Sequence, residues 1–113
     1  MPHVCFVLAI IASGLFGAQA ALAASAENGK RAYMRAGCWQ CHGTVGQGGT
    51  AGPRIAPDPL PYDALAAFVR TTNRAMPPYR ETVLSNDELA DIHAYLASIP
   101  KPPPADSLPL LKP

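Results

Sequence analysis

Cys38-Trp39-Gln40-Cys41-His42 is the segment of this 113-residue chain whose side chains could do chemistry as a set. C-x-x-C-H is the attachment signature of a c-type haem. Two thiols at that spacing, on one turn after a helix, can reach the two vinyl groups of one porphyrin edge and form thioethers. The imidazole that follows then stands beneath the iron as the proximal ligand. Two other chemistries compete for the same residues. A thioredoxin-like redox pair wants a βαβ context, and no strand pattern precedes Cys38. Structural zinc needs a fourth ligand beyond Cys38, Cys41 and His42, and only His93 is available; three ligands within five residues also make poor tetrahedral geometry. Haem attachment is the favoured reading, with zinc and thiol redox as its alternatives.

The rest of the composition bounds what such a site could serve. With 9 basic and 8 acidic residues the formal net charge is +1, so the chain lacks the basic stripe with which a nucleic-acid binder displaces counterions. The length allows one small domain. Its apolar residues, 49% of the total, are concentrated at the front: no Asp, Glu, Lys or Arg precedes Glu27. Val4 to Phe16 is an apolar run followed by small residues through Ala24, which reads as a secretory signal peptide over residues 1–23. Ala18-Gln19-Ala20 and Ala21-Leu22-Ala23 both suit signal peptidase, and cleavage after Ala23 is preferred over an uncleaved membrane anchor. The odd cysteine count is thereby resolved, because Cys5 leaves with the leader.

The elements that must position the motif are legible downstream. A helix is expected from Ser25 to Ala36, with Ser25 as N-cap, Gly37 as the stop, and Gly29 placed where another helix approaches closely. A long Gly- then Pro-rich loop from Gly43 through Pro61 should wrap around something. Tyr62 to Thr72 carries Leu65, Phe68 and Val69 on one face of a short helix. Ser85-Asn86-Asp87-Glu88 is a capping box, with Leu84 and Leu89 as its hydrophobic staple, and the helix it starts ends at Pro100. The domain is therefore placed at 24–100, and the Pro-rich tail 101–113 is expected to be extended, polyproline-like and mobile.

In order, these are a helix ending in C-x-x-C-H-G, then Gly52-Pro53, then Met76-Pro77-Pro78, then a capped C-terminal helix with Tyr95 near its end. From Glu27 to about Pro100 the chain resembles a bacterial class I cytochrome c. The resemblance implies an all-α fold of three to four helices wrapped around one covalent haem. Residue by residue, it implies Cys38 and Cys41 as the thioether cysteines, His42 as the proximal ligand and Met76 as the distal ligand. It also implies a Pro53 carbonyl that accepts a hydrogen bond from the His42 Nδ1–H, and a contact of Gly29, Tyr33 and Tyr95 between first and last helices. The assignment of Met76 agrees with its setting. The other methionine of the mature chain, Met34, lies on the helix leading into Cys38, whereas Met76 sits on a proline-stiffened loop that pre-organises its thioether.

The function so implied is a periplasmic one-electron carrier, with both axial sites filled and no open iron position for catalysis. Its partners would be redox proteins: a periplasmic dehydrogenase, reductase or oxidase as donor or acceptor. Membrane association is expected only if the leader is retained. A dedicated cytochrome subunit of such a complex is the alternative, and a haem enzyme or sensor a more distant one. With Lys30, Lys101 and Lys112 as its only lysines, the chain points to an apolar docking contact around Trp39, Gly46 to Gly49 and Met76 to Tyr79. His93 reads as a surface or edge residue, and Arg54, Tyr62, Arg70 and Asn73 either meet the haem propionates or face water.

Overall fold

The computed structural model describes residues 23–111, so the leader expectation lies, but for Ala23, outside the described residues. Four helices follow in order: α1 (Ala26–Arg35), α2 (Trp39–His42), α3 (Tyr62–Thr71) and α4 (Asn86–Ser98). No strand occurs among the described residues, and none of their helices is long and apolar enough to cross a membrane.

The dominant packing is α1 against α4, and both helices are placed by their caps. Ser25 caps α1 by accepting the Asn28 N–H, while its own N–H donates to Asp91 Oδ1 of α4 at 2.6 Å. That second bond ties the start of one helix to the middle of the other. At the crossing, a Cβ on Gly29 would collide with the backbone carbonyl of Asp91 and come within 2.9 Å of the Ile92 nitrogen. Glycine is needed here because backbone meets backbone. One turn on, Tyr33 is 0% exposed and meets Tyr95 edge to face, ring centroids 5.5 Å apart. Leu84, Leu89, Ile92 and Leu96 complete the apolar layer, with Leu65 and Val69 of α3 packed against it.

Helix α4 starts as its sequence requires. The Ser85 hydroxyl accepts the Glu88 N–H, and the Ser85 N–H donates back to Glu88 Oε2 at 2.9 Å. Leu84 and Leu89, on either side of the cap, are both buried. The other Glu88 oxygen accepts from Arg35 Nη2 at 2.7 Å, closing α1 onto α4 at a second point. The Ser85 backbone bond and then the Arg35 guanidinium hold the Glu88 carboxyl below the ordinary carboxylate range. The unfolded chain therefore binds this proton more readily than the folded one. The contribution is complete above about pH 4.3, the ordinary glutamate value, and is lost as pH falls through the depressed folded value. Denaturation midpoints measured across that acid range should fall less steeply for Glu88→Gln than for the parent.

Leu65 and Val69 of α3 are buried, and Phe68 is 47% exposed. The tail is not uniformly extended: Lys101 to Pro104 has no regular structure, but single 3₁₀ turns follow at Ala105–Ser107 and Pro109–Leu111. Pro104 and Pro109 preset the backbone φ that such a turn uses. The Ser107 N–H and hydroxyl both return to the Pro104 carbonyl, at 2.9 and 2.6 Å.

Candidate functional site

The C-x-x-C-H segment is a single turn of helix hung from the end of α1. Gly37, in the left-handed conformation, breaks the chain away from α1, and the His42 N–H then bonds the Cys38 carbonyl at 3.0 Å to close α2. Both thiols are free; Cys38 is half-buried and Cys41 exposed. Burial pushes the Cys38 thiol up from its ordinary value. His42 is buried, 9% exposed, and its Nδ1 lies 2.8 Å from the Pro53 carbonyl oxygen. A carbonyl can only accept, so Nδ1 carries the hydrogen and Nε2 is the nitrogen left with a lone pair.

Pro53 reaches that position because Gly52 precedes it. A Cβ on Gly52 would stand 2.9 Å from the Cys41 carbonyl oxygen and 3.2 Å from the Cys41 Cβ. The loop can thus lie directly against the α2 turn. Its return is held by the Gly48 N–H on the His42 carbonyl at 2.8 Å and by Ile55 and Ala56 N–H groups on Gly46.

Three tyrosines fasten the backbone on either side of the turn. Tyr79 donates to the Ala36 carbonyl at 2.8 Å, Tyr33 to Gly43 at 2.7 Å and Tyr95 to Thr44 at 2.8 Å. These carbonyls lie at or just past helix ends, where no intrahelical partner exists. Burial raises all three phenols, Tyr33 to about 12, so each remains a proton donor over the whole physiological range. Tyr79 also lies near Cys38 and Cys41. Sequence reasoning assigned Tyr79 only to a docking rim; its position directly after Pro77-Pro78 was the available signal for a structural role.

The other candidates are distributed as follows. Met76 lies on the α3–α4 connection, partly buried and packed against the core. Trp39 is 41% exposed beside the cysteines. His93 Nε2 is 3.0 Å from the Leu60 carbonyl and its ring meets Tyr62 edge to face, which makes it a loop anchor at the edge of α4. Arg70 donates to the Tyr79 carbonyl and to Asn86 Oδ1, and the Tyr62 hydroxyl to the Asn86 carbonyl. Arg54 and Asn73 are exposed.

The donor set suits a covalent haem. Two free thiols lie on one turn, with a buried imidazole fixed by one nitrogen and open at the other, against a backbone that a side chain on Gly52 would push away. It does not suit zinc. Among the described residues no three His, Cys, Asp or Glu side chains converge as a metal-holding group.

Comparison with known proteins agrees with this reading. Residues 24–96 match the family described as cytochrome C oxidase, cbb3-type, subunit III. No curated protein and no solved structure gives a significant match. The match covers well over half of the chain and spans the motif, the loop, the first three helices and most of α4. Through its c-type cytochrome domain, with an all-helical fold of the class I kind and a covalently bound c-type haem serving electron transfer, the chain belongs to that family.

Proposed function

We propose that the mature protein is a periplasmic one-electron carrier whose haem is joined to Cys38 and Cys41 and ligated by His42 and Met76. The 2.8 Å contact between His42 Nδ1 and the Pro53 carbonyl carries this reading, because it selects the tautomer and ring orientation that an iron ligand needs. The bound haem supplies a reversible one-electron change at iron. The chain's residues do the rest. Cys38 and Cys41 hold the group against loss, and Pro53 orients His42 and raises its basicity. Met76, a soft and weak donor on a stiff loop, favours the ferrous state. The leader over residues 1–23 would deliver the chain across the inner membrane and be removed.

Transfer partners would dock briefly on the exposed apolar rim around Trp39 and Val45, since a net charge of +1 provides little long-range steering. The absorption spectrum of the oxidised protein tests the ligation. A methionine-to-iron charge-transfer band is expected, and its absence overturns the His42/Met76 assignment.

The family's description favours a second reading, in which the chain is a standing subunit of a terminal oxidase. A free carrier should be recovered alone from a periplasmic extract. A subunit should instead co-purify with a membrane complex at fixed stoichiometry, and lose it on deletion of the tail after Pro100.

A further inference from the structure

The connection between α3 and α4 carries Met76, and its hydrogen bonding is concentrated at one residue. Among the described residues, every hydrogen bond made between Ala75 and Tyr79 is made by Tyr79. Its N–H donates to the Val69 carbonyl at 2.9 Å, its carbonyl accepts from Arg70 Nη1 at 2.8 Å, and its hydroxyl donates to the Ala36 carbonyl at 2.8 Å. The first two bonds return to α3. The third alone crosses to the residue that ends α1, two positions before Cys38. Pro77 and Pro78 stiffen the link from Met76 to Tyr79, so displacement at one end is passed to the other rather than absorbed.

We propose that Tyr79 is a positioning residue: through its hydroxyl bond to Ala36 it registers the Met76 segment against the Cys38–His42 turn and sets how often Met76 leaves the iron. The inference rests on the His42/Met76 reading above. An outside ligand gains the iron only when the methionine has left, so its apparent affinity scales with the fraction of molecules in the open state. Removing the hydroxyl while keeping the ring weakens the closed state by one hydrogen bond. That should raise the open fraction about three- to tenfold.

The test is a titration of the oxidised holoprotein with imidazole, followed at the methionine-to-iron band, for the parent, Tyr79→Phe and Tyr95→Phe. Tyr95→Phe is the control for general loosening, because it deletes a tyrosine–carbonyl bond of the same length on the other side of the turn. The expected result is an imidazole affinity about three- to tenfold tighter in Tyr79→Phe and unchanged in Tyr95→Phe, with similar losses of denaturation midpoint in both. Equal affinities in the parent and Tyr79→Phe, or the same gain in both variants, would overturn the positioning role while leaving the ligation intact. A parent protein without the band overturns the ligation, and the role of Tyr79 with it.

Discussion

Alanine in place of Gly29 is expected to lower the stability of the domain by about 3 kcal/mol or more, at the upper end of the cost of overpacking. Two effects of opposite sign meet at this position. In an exposed helix the substitution would stabilise by about 1 kcal/mol, because glycine pays the larger backbone entropy. Here the new methyl group would occupy the space of the Asp91 carbonyl, and main chain cannot swing aside as a long side chain can. Helices α1 and α4 would have to separate along their whole contact. That contact includes the Tyr33–Tyr95 pair and the Ser25–Asp91 bond. For a domain of this size the melting temperature should fall on the order of 15 °C. A rise in melting temperature would show that the close crossing is absent.

Met76→Ala should have the largest effect on function. The oxidised protein should lose its methionine-to-iron band, and the reduction potential should drop on the order of 100 mV, a fraction of the roughly 0.8 V that axial ligation spans. Both changes share one cause: loss of a soft donor that prefers ferrous iron. The helical fold should persist, because Met76 sits at the margin of the core and Leu84, Leu89 and Leu96 form its centre. Circular dichroism together with a potentiometric titration checks the two halves of this expectation. An unchanged potential would remove Met76 from the iron.

Local signals were readable in the sequence wherever one short segment contains both partners of an interaction. The capping box at Ser85 and Glu88 is of this kind, and so is the grouping of Cys38, Cys41 and His42 on one turn. Gly29 was readable for a different reason: a glycine inside an otherwise good helix needs a close neighbour, though its identity as Asp91 required the fold. The Tyr79–Ala36 bond joins residues 43 positions apart and leaves no periodic trace. Arg70 and Tyr62 illustrate the same limit, since a charged or hydroxyl side chain says nothing about which of several acceptors it will find.

The tyrosine bonds to Ala36, Gly43 and Thr44 bracket the Cys38–His42 turn, one before it and two after. For a group that repeatedly gains and loses one charge, the barrier to each exchange is the work of moving surrounding atoms from the arrangement one charge prefers to that preferred by the other. A backbone fastened at both ends, through donors that stay protonated, has few arrangements available to it. Both oxidation states are then met by almost the same set of dipoles, and that pre-set environment keeps the reorganisation energy low.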